Sequence, residues 1–310
     1  MIEAVDLIKE FAGFVAVQRV SVQVAQGEVL AFLGPNGAGK TTTVRMLGSI
    51  LKPTSGYARI AGFDTVTHPR EVRQVIGLLT EFPGLYQRMR GLEYLRFFGE
   101  LQGMPANLIK RRSLELLERF ELGDAHNQQI GTYSKGMKQK LTLVRAMLHD
   151  PLVLFLDEPT SAMDPHSAKL VRDAIAGLRR DNRTIVLCTH NLPEAEQLAD
   201  RIAIIRRGQI IAQGTPPELK QRLLGDPLLE IRLAGALNGL VNFLQDKATV
   251  VNHGENWVRY TVPNPVEFNP YLLGELARQN QPVVTLSEVP RSLEEVYLRI
   301  VESDAVEVRP

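Results

Sequence analysis

Gly34-Pro35-Asn36-Gly37-Ala38-Gly39-Lys40-Thr41 lies between an apolar run at residues 29–33 and a stretch from Thr42 to residue 51 that reads as a helix. The segment fits G-x-x-x-x-G-K-[ST]. Its glycines let the backbone turn so that successive N–H groups point inward at phosphate oxygens. The helix that follows adds its positive N-terminal end. Lys40 is placed to neutralise β- and γ-phosphates, and the Thr41 hydroxyl to bind Mg²⁺. By chance the pattern occurs in about one chain in a hundred of this length. The bland alternative, a glycine-rich strand–helix turn, is weakened because a strand precedes the motif and a helix follows, as the mechanism requires. A dinucleotide-binding turn is excluded, since G-x-G-x-x-G does not occur here.

Working outward, residues 3–8 and 15–24 read as a strand pair, with Val20, Val22 and Val24 alternating. Lys52-Pro53-Thr54-Ser55-Gly56 is a turn, with a strand beyond it at 57–60. Leu108, Leu114, Leu117 and Phe120 recur near helical spacing within a helical stretch from residue 91 to about 145. Strands resume at 153–156, 184–188 and 201–205, separated by helices at 167–179 and 193–198. This alternation predicts a doubly wound α/β core with a helical insertion. Gly214-Thr215-Pro216-Pro217 and Gly225-Asp226-Pro227 punctuate its end. Beyond them come strands at 228–233, 249–251, 257–262 and 283–288, and helices at 237–244 and 267–278. A last helix opens with a capping box, Ser292 and Glu295. These elements make a small α+β domain.

The apolar strand at 153–156 ends in Asp157 and Glu158, at the strand end that faces the phosphate loop's crevice. Asp157 is placed to hold the Mg²⁺ shell and Glu158 to orient and deprotonate an attacking water. Alone, such a pair is often only a helix cap; with the phosphate loop it becomes a site. The chain has 310 residues, 44% hydrophobic and 23% charged, with a formal net charge of +1, so nothing favours a polyanion-binding surface. One cysteine, Cys188, excludes an intrachain disulfide and a Cys-rich zinc site. No stretch has the length of a membrane span and the N-terminus lacks a signal peptide's apolar centre. A cytoplasmic protein is expected, with any membrane role arising through a partner.

With these motifs in place, the sequence resembles the nucleotide-binding subunit of an ABC transporter. Tyr133-Ser134-Lys135-Gly136-Met137-Lys138-Gln139 resembles that family's signature, usually written LSGGQ. Ser161-Ala162-Met163-Asp164 resembles its D-loop, and His190 matches the switch histidine. The likeness runs from Met1 to about residue 223, with every motif in order. It implies a P-loop NTPase (RecA-like) core at 1–223, with an N-terminal antiparallel β subdomain and a helical subdomain at about 87–145. A small accessory α+β domain follows at 227–310. It further implies ATP and Mg²⁺ as ligands and head-to-tail pairing with a second copy or a paired ATPase subunit. Each ATP would lie between one phosphate loop and Ser134 and Gly136 of the other subunit, with Asp164 nearby. His190 would sense the γ-phosphate. Phe11 occupies the position of the family's adenine-stacking aromatic; read locally, it serves equally as a core residue of a hairpin.

Two positions depart from the common pattern. Glu81 stands where a glutamine is usual; its carboxylate is expected to reach Mg²⁺ and couple it to movement of the helical segment. Lys135 stands where the signature has a glycine, either adding a phosphate contact or pointing into solvent. Pro83-Gly84-Leu85-Tyr86, the Ser-Lys-Gly-Met-Lys-Gln run and Arg291-Ser292-Leu293-Glu294-Glu295-Val296-Tyr297 narrow the resemblance. Together they are similar to ATPase subunits of two-component drug-resistance and sodium exporters, which act at the inner face of the cell membrane through a separate integral permease. An importer ATPase would share the catalytic motifs. A soluble member acting on ribosomes or DNA usually has two cores, zinc modules or long coiled coils, none of which is read here. No nucleic-acid partner is expected.

Overall fold

The computed structural model describes residues 1–80, 84–161, 163–180, 182–295 and 297. The chain divides into two compact units, Met1–Thr215 and Pro216–Pro310.

In the first unit, β1 (Ile2–Phe11) and β2 (Phe14–Val24) form an antiparallel hairpin. Its two-residue turn, Ala12-Gly13, has positive φ at both positions, 43° and 89°, the conformation that matches strand twist. β4 (Ser55–Ile60) pairs with β1 on its other side, and β5 (Phe63–Asp64) with β4, giving the order β2-β1-β4-β5. The buried face carries Ile2, Ala4, Leu7, Val20, Val22, Val24, Ala58 and Ile60.

A second sheet is made of β3 (Val29–Leu33), β6 (Ile76–Leu79), β7 (Val153–Asp157), β8 (Thr184–Thr189), β9 (Arg201–Arg206) and β10 (Gln209–Gly214). Its order is β10-β9-β3-β8-β7-β6, with only β10 antiparallel to its neighbour. Every residue of β3, β7 and β8 is buried, which is why they read as continuous apolar runs. Helix α1 (Lys40–Leu47) supplies Val44, Met46 and Leu47 to a core that also holds Leu7 and Val20 of the first sheet and Phe32 and Phe155 of the second. The outer hairpin is thereby tied to the strand that launches the phosphate loop. α2 (Pro69–Val75), α6 (Pro165–Arg180) and α7 (Leu192–Leu198) connect the strands.

The insertion consists of α3 (Gly91–Leu101), α4 (Ala106–Arg119) and α5 (Lys135–Met147). The apolar stripe on α4 differs from the one read in the sequence. Ile109, Ser113, Leu116 and Leu117 are buried, whereas Leu114 is 40% exposed. Steps of three and four residues keep the first set on one face, and Leu114 lies off it. Arg145 of α5 fastens the insertion to the sheet, donating to the Tyr94 hydroxyl at 2.8 Å and to the Leu78 carbonyl at 3.3 Å.

The second unit opens with α8 (Pro216–Leu224), where the sequence reads as punctuation. Pro216 and Pro217 start this helix instead of breaking the chain, because the first helical positions need no N–H donor. β11 (Leu228–Leu233), β12 (Thr249–His253), β13 (Trp257–Thr261) and β14 (Val283–Glu288) form an antiparallel sheet in the order β12-β13-β11-β14. α9 (Leu240–Gln245) and α10 (Pro265–Arg278) close its core through Leu240, Leu244, Leu272 and Leu276. Ser292 and Glu295 make the expected reciprocal cap, at 3.5 and 3.3 Å. Tyr260 is fully buried, its hydroxyl donating to Asn269 Oδ1 at 2.8 Å, and burial raises its pKa. Tyr260→Phe leaves the Asn269 acceptor short of a partner and should cost about 1 kcal/mol. The one tryptophan, Trp257, lies on the same strand, so its fluorescence in denaturant reports the shift directly.

Candidate functional site

β3, β8 and β7 are adjacent and parallel, so the loops leaving their carboxyl ends share one edge of the sheet. Leu33 is in register with Thr189 and Asp157 with Cys188. Strand pairing alone therefore brings residues 34–41, the acid pair and His190 together.

At Gly34 a side chain is impossible without backbone movement, since a Cβ there would lie 2.1 Å from the Ile205 carbonyl oxygen. Gly39 caps α1 with φ of 104° and provides no side-chain cap, so the first amides of the helix are left for a ligand. Lys40 is buried, its Nζ donating to the carbonyls of Gly34 and Pro35 at 2.6 and 3.2 Å. The Thr41 hydroxyl donates to Asp157 Oδ2 at 2.7 Å, which sets side by side two oxygens of the kind that could hold a hard cation. Asn36, Gly37, Ala38, Gly39, Lys40, Thr41 and Thr42 line an open cleft of about 450 Å³ with Asp157 and Glu158.

The hairpin turn forms the cleft's other wall. Phe11 and Phe14 are cross-strand partners, 44% and 65% exposed, and both face the cleft with Ala16. The core reading of Phe11 thus fails. Lys9 Nζ lies 5.0 Å from the centre of its ring. An aromatic face presented to a planar base adds about 0.5–1.5 kcal/mol. Phe11→Ala should accordingly weaken nucleotide binding by roughly 2-fold to 10-fold, with hydrolysis at saturating ATP little changed; titration of a fluorescent ATP analogue checks this.

Glu158 follows β7 in a left-handed conformation, φ 51°, with its amide donating to the Cys188 carbonyl at 2.9 Å. Non-glycine residues rarely adopt this backbone, and the surroundings must hold it there. Gln139 of α5 donates to the Glu158 carbonyl at 3.2 Å. The Glu158 carboxylate, nearly buried, meets His190 Nδ1 at 2.7 Å; an ionised carboxylate accepts this bond from the ring. Behind them, burial raises the Cys188 thiol well above its usual range, leaving a small core residue.

The remaining candidates stand apart from this cleft. Ser134 is exposed and caps α5, accepting from the Met137 amide at 3.2 Å, and Gly136 lies in the first turn of that helix. Neither lines the cleft. Asp164 caps α6, accepting from the Ser167 amide at 3.0 Å, a bond that lowers its pKa. Glu81 lies outside the described residues.

The sequence pattern of the ABC transporter family matches residues 17–161. The daunorubicin/doxorubicin resistance ATP-binding protein DrrA of Streptomyces peucetius is 37% identical over 304 residues, spanning 96% of this chain and 92% of that protein. The chain belongs to the ATP-binding subunits of ABC transporters. The ABC transporter ATP-binding protein NatA of Bacillus subtilis is 39% identical over 226 residues, covering 73% of this chain and 92% of its own. A solved ATP-binding subunit of an ABC transporter, 28% identical, superposes with a TM-score of 0.68 over 79% of this chain and 99% of that one.

This ABC ATPase binds and hydrolyses ATP. Two residues escaped the sequence reading: Phe14, which lines the cleft, and Glu194, which is buried. Phe14 escaped because exposed and core aromatics look alike in a short hairpin. Glu194 escaped because Asn191-x-x-Glu194 reads as an ordinary helix start; Asn191 Oδ1 does accept from the Glu194 amide, at 3.0 Å.

Proposed function

We propose that this subunit drives export of an organic substrate through a separate membrane permease, working at the cytoplasmic face as one of a pair of ATPase subunits. The observation that carries the proposal is similarity to an exporter subunit along both units of the chain: the Nod factor export ATP-binding protein I of Rhizobium sp. (strain N33) is 35% identical over 301 residues, 96% of each protein. The full-length likeness to the daunorubicin/doxorubicin resistance protein points the same way. Among the described residues no helix is long and apolar enough to cross a membrane, so the pathway is assigned to a partner.

In this reading the amides of residues 34–41 and Lys40 hold the phosphates, and Phe11 stacks on adenine. Thr41 and Asp157 would hold Mg²⁺. Among the described residues no three His, Cys, Asp or Glu side chains cluster as a metal cage, which suits a cation whose other ligands are phosphate and water. When bound, the cation neutralises charge on the β- and γ-phosphates. Glu158 takes a proton from the attacking water, whose oxygen displaces ADP from the γ-phosphorus, and His190 steadies that carboxylate and the transferring group. Exposed Ser134 and half-buried Gly136 complete the site of the second subunit, with Asp164 at the join. ATP then acts as a clamp and its hydrolysis as the release. The second unit has an accessory, regulatory role.

The test is ATP-driven uptake of daunorubicin into inverted vesicles containing this chain and a permease that co-purifies with it. Accumulation is expected with the native chain and not with Glu158→Gln. Equal uptake without ATP, or with the permease alone, would rule out the export reading.

A further inference from the structure

We infer that Glu194 is a positioning residue for hydrolysis, holding Glu158 and His190 in register through one buried carboxylate. The inference rests on the catalytic reading of that pair. Glu194 lies on α7 and is 3% exposed. Its Oε1 accepts from the Thr160 hydroxyl at 2.6 Å and its Oε2 from the Thr189 hydroxyl at 2.8 Å. Thr160 follows Glu158 by two residues, and Thr189 immediately precedes His190. Thr160 thus lies in the turn that carries the Glu158 carboxylate and Thr189 ends β8 beside His190, and Glu194 joins them.

The join is directional. Thr189 Oγ1 also accepts from the Asn191 amide at 3.0 Å, so this hydroxyl is held from both sides and its proton is committed to Glu194. On the other flank, the Glu158 amide donates to the Cys188 carbonyl. The left-handed turn at Glu158 is therefore clamped at its start by β8 and two residues later by Thr160 and Glu194. Packing alone does not call for an acid here, because burying a carboxylate is costly and an apolar side chain would fill the space. Two hydroxyl donors aimed at two oxygens do call for one: a carboxylate offers an acceptor to each, whereas an amide offers an acceptor to only one. Burial is also the main influence raising the Glu194 pKa, with the two hydroxyl bonds opposing it.

Steady-state ATP hydrolysis by the full chain tests this in Glu194→Gln, Thr189→Val and Thr189→Ser, alone and combined with His190→Ala. Displacing a catalytic pair by a fraction of an ångström costs rate more than binding, so Glu194→Gln and Thr189→Val should lower kcat by roughly 10-fold to 100-fold. KM for ATP and binding of a fluorescent analogue should stay within about twofold, and Thr189→Ser, which keeps the hydroxyl, should restore most of the rate. In the His190→Ala background the further loss from Glu194→Gln should be under about threefold, since the two act as a unit. Native kcat in both Glu194→Gln and Thr189→Val overturns the inference, as does an undiminished loss without His190. Should Glu194→Gln fail to fold, Thr189→Val and its serine rescue decide alone. A native rate in His190→Ala itself would instead overturn the catalytic reading of the pair.

Discussion

Replacing Glu158 with glutamine should lower ATP turnover by ~10²–10⁴, the usual worth of a positioned base, while ATP still binds. Glutamine has the same shape, and the backbone that holds position 158, the amide bond to Cys188 and the carbonyl bond from Gln139, does not involve the carboxylate. What is lost is the proton acceptor beside His190. The variant should therefore saturate with ATP at near-native concentration and form a long-lived ATP-bound pair. Phosphate release measures the first effect and size-exclusion chromatography with ATP the second. Turnover at the native rate would remove Glu158 from the mechanism.

Lys40→Ala should instead weaken ATP binding severely. Lys40 is 6% exposed, with its ammonium on the carbonyls of Gly34 and Pro35, so its charge is already desolvated where phosphates would meet it. Truncating one partner of a buried, hydrogen-bonded charge pair costs roughly 2–5 kcal/mol, about 30-fold in affinity at the lower end. Lys40→Arg should be no remedy, because a planar guanidinium is larger than the space a buried ammonium occupies and bonds in a fixed fork. Calorimetric titration with ATP distinguishes the outcomes: affinity within twofold of native for Lys40→Ala would separate this lysine from the phosphates. Together the variants divide the cleft into a residue that holds the triphosphate and one that uses it.

Much of this was legible along the chain. Residues 34–41 declare their chemistry because a phosphate cradle is made of consecutive amides, and consecutive amides are a local property of sequence. Strands β3, β11 and β14 fall where the apolar pattern and flanking turns put them, since burial on one or both faces imprints a simple periodicity. Short elements with little apolar content, such as β5 and α2, left no comparable trace, and the true stripe of α4 emerged only from what packs against it.

The sequence by itself pointed to a triphosphate cradle at Gly34–Thr41 and put Asp157, Glu158 and His190 at the ends of apolar strands. It did not determine that β8 lies between β3 and β7, which is what brings the three loops to one edge. Nor did it say that Phe11 and Phe14 turn outward to the cleft, or that Glu194 reaches both threonines. Those are relations between residues distant in the chain, settled by strand pairing and burial. Period and propensity report a residue's neighbours in sequence; a carboxylate's partners are chosen by its neighbours in space.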